Sequence, residues 1–214
     1  MTLDNIMQPY DTIISLGSTC QTAYQIKRKN LRNFSGPIDW MISPYLSDVN
    51  RLLKMRFKNF MDFNNLTLQG KLSNITYIVK DNLYNIESYH DFPILLNSEN
   101  YLSTYSIFKS KLCRRINTFY KMCKNCDSIL FVRIGANYDE VVELISILKK
   151  IVKKEFTILI INFSTNPEVM EQNWGIDNVS SVEIQDTFPT RWQGCDTSWD
   201  KIFKGISLRS SEGF

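Results

Sequence analysis

The stretch from 128 to 163 sets the tightest limit on how this chain can fold. "SILFVRI" (128–134) and "FTILIINF" (156–163) are short, almost wholly apolar runs rich in β-branched residues. Between them, "DEVVELISILKKIVKK" (139–154) repeats its apolar residues at helical spacing. Runs without polar alternation belong to strands covered on both faces, and a strand–helix–strand unit joins parallel neighbours. A similar apolar run with Ile13, Ile14 and Leu16 predicts a first strand over 11–16, and the alternating "ITYIV" (75–79) predicts another. "VSSVEI" (179–184) has a weaker strand pattern, and the apolar spacing predicts helices over 46–57 and 99–124. The expectation is an α/β fold, a three-layer Rossmann-like sandwich around a mainly parallel central sheet. No repeat or Pro/Gly-rich linker divides the chain, so one domain over 1–214 is expected.

Composition narrows the classes of function. A hydrophobic fraction of 43% and a charged fraction of 22% are those of a soluble globular protein. A net charge of +3 is too small to argue for nucleic acid or an anionic membrane as partner. The basic clusters at Lys27–Arg32 and Lys149–Lys154 fall near predicted helix C-termini, where cations complement the dipole. The N-terminal "MTLDNIMQPYD" has an early acid and no long apolar stretch, and no run is long enough to span a bilayer. A cytoplasmic setting is expected, and the five unevenly spaced cysteines read there as free thiols.

In parallel sheets, ligands bind beyond the carboxyl ends of the strands. Gly17 to Cys20 lies at such an end, and Ser18-x-x-Gln21 has the form of a capping box. With Ser18 as N-cap, Cys20 stands at the second helical position among backbone N–H groups that have no helical acceptor. Those groups favour thiolate, lower the thiol pKa and can hold an oxyanion. The competing reading is a buried cysteine, because Cys20 shares a helical face with Ala23, Tyr24 and Leu31. His90 is the only histidine, so any Cys/His chemistry must use it. Asp39 either orients His90, binds substrate, or is a cap or turn residue. Asp91, pointing to the opposite side from His90 in an extended segment, is not an easy orienter and reads as a loop tie.

Three further patterns carry less. Cys123-Lys-Asn-Cys126 is a lone CxxC that ends a helix, short of a zinc or redox motif, so neither metal nor cofactor is expected. "RIGANYDE" (133–140) opens a helix at a strand end, with Asn137 or Asp139 as N-cap and Arg133 in an ion pair by default. "FPTRWQGCDTSWDKIF" (188–203) reads as a lid, or as a segment docked by its tryptophans.

Taken together, "YDTIISLGSTCQTAYQIKRKNLRNFSGPIDWMIS" resembles the start of a bacterial and large-virus family of cysteine peptidases described as papain-like. The matching positions are Leu16, Gly17, Cys20, Leu31, Arg32, Ser35, Gly36, Pro37, Asp39 and Trp40, with Ile38 where the family has Phe. The resemblance continues at His90–Asp91–Phe92, Arg114–Arg115–Ile116 and "LFVR" (130–133). It implies Cys20 as nucleophile and His90 as its base; Asp39, with Asp91 as runner-up, is the candidate third member. Ser18, Thr19, Gln21, Trp40, Asn137 and Trp192 are the candidate substrate contacts around the thiol.

The expected function is thus a cysteine-dependent hydrolase acting on a peptide, amide or ester. The alternatives are an acyltransferase using the same pocket and a non-catalytic binding protein on this scaffold.

Overall fold

The computed structural model describes residues 1–209, so positions 210–214 of the expected domain lie outside the described residues. The elements run β1 (Pro9–Tyr10), β2 (Thr12–Ser15), α1 (Cys20–Arg28), β3 (Met41–Ile42), α2 (Leu46–Lys54), β4 (Leu66–Leu72), β5 (Thr76–Asp81) and β6 (Ile86–Ser88). They continue α3 (Tyr105–Asn125), β7 (Ser128–Ile134), α4 (Tyr138–Ile151), β8 (Glu155–Ser164), β9 (Met170–Gln172), β10 (Val179–Gln185), α5 (Asp196–Ile202) and β11 (Ser207–Leu208).

The fold is mixed α/β. Its five-stranded sheet has the order β2-β7-β8-β10-β9, with the first four strands parallel and β9 antiparallel at one edge. Side chains alternate between two buried clusters along these strands. Ile14, Ile129, Phe131, Ile158 and Ile160 pack with the apolar stripes of α2, α3 and α4. Ile13, Leu130, Val132, Leu159 and Ile161 pack with Ile26 of α1 and with Trp199 and Ile202 of α5. Burial on both faces is why these strands read as unbroken apolar runs.

Two features depart from the expected single Rossmann-like sheet. The parallel strands follow one another in chain order, so the reversal that makes the crevice of a doubly wound sheet is missing from the described residues. A second, four-stranded antiparallel sheet, β3-β6-β5-β4, is inserted between α1 and α3. A short parallel pair, β1 with β11, ties the N-terminal segment to the end of the described chain. The helix expected over 99–124 starts only at Tyr105, because the Asn97 side chain accepts from the Thr104 N–H and hydroxyl and holds the preceding turn. The helix expected over 46–57 ends at Lys54, and Arg56 and Phe57 adopt left-handed backbone that closes it. No described helix is long and apolar enough to cross a membrane.

The two sheets meet at a seam, and the seam positions the site. Cys20 follows β2, the edge strand of the parallel sheet, while His90 follows β6 of the antiparallel sheet. Residues 41–44, running through and just past β3, lie between them.

Candidate functional site

The thiol turn is built from two consecutive left-handed residues, Gly17 at φ +79° and Ser18 at φ +90°. The helix then opens one residue later than the sequence pattern suggests. Thr19 is the N-cap, its Oγ1 accepting from Gln21 N–H at 3.3 Å, so Cys20 is the first helical residue and the Ser18/Gln21 capping box does not form. Ser18 is excluded from that role by its backbone, because an N-cap needs extended φ/ψ such as Thr19 has. Among the described residues a complete capping box is found at Asn137 and Glu140, opening α4.

Ser43 fixes the turn from the side of the antiparallel sheet. Its Oγ accepts from Ser18 N–H at 3.0 Å, and its N–H donates to Ser18 O at 2.8 Å. A Cβ on Gly17 would lie 2.4 Å from Ser43 Oγ, so glycine is required there for close approach as well as for its backbone. Gly135, in the β7–α4 loop, faces Ser18 Oγ across 4.0 Å at its would-be Cβ position, which sets that loop beside the turn.

The seam brings Cys20 Sγ to 3.5 Å from His90 Nε2, across 70 positions of sequence. Cys20 is 8% exposed, whereas His90 is exposed. Burial pushes the Cys20 thiol up to about 11, and its own backbone N–H offsets only part of that rise. The sequence argument for a depressed pKa is therefore overturned. Burial outweighs the helix N-terminus, which supplies about 1 kcal/mol in favour of the charged form. Cys20 rests as a neutral thiol, and its ionisation needs a base.

Among the described residues, neither candidate carboxylate bonds to His90. Asp91 Oδ2 accepts from Ser88 Oγ at 2.7 Å, and its Oδ1 pairs with the Lys111 ammonium of α3. Phe92 behind it is fully buried against Phe108, with ring centroids 4.9 Å apart, and its carbonyl accepts from Tyr77 N–H at 2.9 Å. His-Asp-Phe is thus a presenting unit: two residues anchor the loop and the first faces the thiol.

Asp39 is buried in a second knot. Its Oδ2 accepts from Arg32 Nη2 at 2.7 Å and from Gly36 N–H at 2.8 Å, and burial raises its pKa despite the Arg32 cation. The same guanidinium bonds Ser35 Oγ at 3.0 Å and lies 5.6 Å from the Trp40 ring centre. Gly36 is needed because a Cβ there would lie 2.5 Å from Asp39 Oδ1. Leu-Arg…Ser-Gly-Pro-Ile-Asp-Trp is therefore one packed turn beneath β2 and α1, and it places Trp40 against Arg32.

The remaining candidates fall as follows. Trp192 packs edge-on to Tyr24 at 5.4 Å, one turn beyond Cys20, and Gln25 of α1 donates to Gln193 O at 2.6 Å. Trp199 is fully buried, so the 188–203 segment is docked on α1. The Gln21 side chain lies under Gly194, whose would-be Cβ is 2.0 Å from Gln21 Nε2. The Ser18 and Gln21 amides are already engaged, which leaves the N–H groups of Thr19 and Cys20 as the backbone donors beside the sulfur.

Three features were not foreseen. Arg133, expected in an ion pair, is fully buried in β7 and donates to carbonyls and one hydroxyl with no carboxylate in hydrogen-bond contact. Tyr89 has its phenol held above the usual value by burial, by the Glu87 carboxylate that it bonds and by nearby Cys20. Cys195 is the described thiol with a lowered pKa, to about 7, through hydrogen bonds from Thr197 and Ser198. Burial pushes Cys123 up to about 12, and no cluster of three or more metal-ligating side chains occurs among the described residues.

The structure is a mixed α/β fold in which a helix-borne cysteine faces a histidine. The chain belongs to the family described as "Putative papain-like cysteine peptidase (DUF1796)", whose model matches residues 11–166. It is also 29% identical to "Uncharacterized protein R408" of Acanthamoeba polyphaga mimivirus, over 90% of this chain and 97% of that protein. No solved structure matches the chain.

Proposed function

We propose that the protein is a cysteine-dependent hydrolase of amide or ester bonds, with peptides as the first substrate class to test. The observation that carries this reading is the 3.5 Å approach of Cys20 Sγ to His90 Nε2 across the sheet seam. His90 takes the thiol proton as the sulfur attacks the substrate carbonyl, so the buried thiol need not stand ionised beforehand. The C–S bond forms, and the oxyanion meets the Thr19 and Cys20 N–H groups. The imidazolium then protonates the leaving amine or alcohol as its bond to carbon breaks. Water, deprotonated by His90, attacks the thioester; the acid leaves and the thiol is restored.

Asp91 and Asp39 serve this reading as positioning groups: Asp91 anchors the histidine loop and Asp39 the turn beneath α1. Ser18, in the thiol turn, is a candidate substrate contact, whereas Trp40 packs on Arg32. Asn137 is engaged in the capping box of α4, and Trp192 packs on Tyr24 of α1, as candidate contacts farther from the sulfur.

The test is a panel of activated esters and peptide amides, with digestion and mass spectrometry to find the acylated residue. Acylation of Cys20 that turns over, and that is lost in Cys20→Ala and His90→Ala, is the expected result. Acylation that persists at other cysteines in Cys20→Ala, with none at Cys20 in the wild type, overturns the reading. Transfer of the acyl group to an added amine or thiol in preference to water converts it to an acyltransferase.

A further inference from the structure

We propose that Arg133 is the positioning residue of the Cys20–His90 pair, acting through Ser43 on both sides of the seam; the inference rests on the hydrolase reading above. A guanidinium has five N–H donors, and all five find acceptors here. Nε donates to Gly135 O at 3.1 Å, Nη1 to Leu16 O at 3.0 Å and Ser43 Oγ at 3.1 Å, and Nη2 to Ser43 O at 2.8 Å and Pro44 O at 3.1 Å. These acceptors belong to three separate segments: the end of β2, the link after β3, and the β7–α4 loop.

Each segment leads to the site. Leu16 O is four residues from Cys20, and the Ser18 turn between them is bonded front and back to Ser43. Ser43 follows β3, whose Met41 and Ile42 pair with Ser88 and Glu87 of β6, and His90 is two residues beyond Ser88. One planar side chain thus sets the sulfur-bearing turn and the strand pair leading to the imidazole in a common frame.

The choice of residue is informative. Every other position of β7 except its first, Ser128, is apolar, and each is buried. Burying a cation without a carboxylate beside it is costly and persists only when its hydrogen bonds are complete. Burial lowers the Arg133 pKa to about 10, offset by Glu140, which keeps the side chain charged at neutral pH. A lysine brings three donors on a flexible stem and cannot reproduce a rigid five-donor fork. Ser18, held at φ +90°, marks where this frame stores strain.

The test is the pH–rate profile of Cys20 alkylation by iodoacetamide, followed on the Cys20 peptide. The proteins are wild type, His90→Ala, Arg133→Lys, Ser43→Ala and the Ser43→Ala/His90→Ala double variant. Cys123, fully buried in the core, reports unfolding in the same sample because it reacts only when exposed. The expected result is a loss of about tenfold or more in the His90-dependent, neutral-range component in both Arg133→Lys and Ser43→Ala, since misplacement near 1 Å is enough to cause it. Cys123 should stay unmodified, and the double variant should lose no more than His90→Ala alone, because the two side chains act on one pair.

Retention of the neutral component in both single variants overturns the proposal, as does additivity in the double variant. Exposure of Cys123 in both single variants overturns it too, making Arg133 a folding residue only. A His90→Ala profile identical to wild type defeats the hydrolase reading itself, an outcome distinct from these.

Discussion

A methyl group added at Gly17 would lie 2.4 Å from Ser43 Oγ and 3.3 Å from Ile38 Cδ1, on backbone at φ +79°. Gly17→Ala therefore has two separable costs. Left-handed backbone costs an L-residue about 1–2 kcal/mol. Moving the Ser43 hydroxyl aside also breaks its bond from Ser18 N–H, about 1 kcal/mol, and its bond from the Arg133 cation, about 1.5–3 kcal/mol. The sum is roughly 3.5–6 kcal/mol, a large part of the stability of an ordinary domain. Gly135→Ala isolates the first cost, because Gly135 has a similar φ of +74° but only Ser18 Oγ nearby, at 4.0 Å. Urea unfolding of both variants should place Gly17→Ala about 3 kcal/mol below Gly135→Ala. Equal losses in the two would refute the claim that Ser43 grips the thiol turn.

Ser18→Gly removes a side chain from φ +90° and should stabilise the fold by about 0.5–1 kcal/mol in the same urea assay; a loss of stability would mean that the Ser18 side chain holds something in place. Cys195 should alkylate with a midpoint near its pKa of about 7, and Thr197→Val should move that midpoint upward, read on the Cys195 peptide. Asp39→Asn keeps an oxygen acceptor for Arg32 Nη2 and Gly36 N–H but removes the charge whose burial is penalised. Burial raises the folded Asp39 pKa, so its contribution is fully present below the unfolded carboxylate value and is lost as pH rises through the folded one. Wild type should therefore lose stability relative to Asp39→Asn as pH rises across that interval, measured by thermal unfolding.

What the residues revealed in advance follows their burial. β7, β8 and α4 are long elements whose apolar patterns have one physical meaning, and they lie where expected. The antiparallel sheet was mostly hidden. β4 is largely exposed and interrupted by a register shift at Leu68/Gly70, while β3 and β6 have two and three residues. Such strands carry no periodicity and exist because partners hold them. Cys20 and His90 were legible as residue types, and their meeting was not, since it depends on how two sheets dock. The family pattern was legible as a string, but only the bonds of Arg32, Asp39 and Asp91 show that much of it packs turns. The pKa of Cys20 was misjudged because the helix N-terminus can be read from sequence, whereas desolvation cannot. Arg133 gave no sign of its five acceptors, four of which lie 89 to 117 positions away in the chain.

The central claim is that His90 takes the proton of a buried, neutral Cys20 thiol. Its most direct test is the rate of Cys20 peptide alkylation against pH in wild type and His90→Ala, with Cys195 followed separately. Wild type should show a component in the neutral range that depends on His90. His90→Ala should lose it and react only as the thiol ionises toward its raised pKa of about 11. Superimposable profiles, both rising only toward that value, would contradict the account.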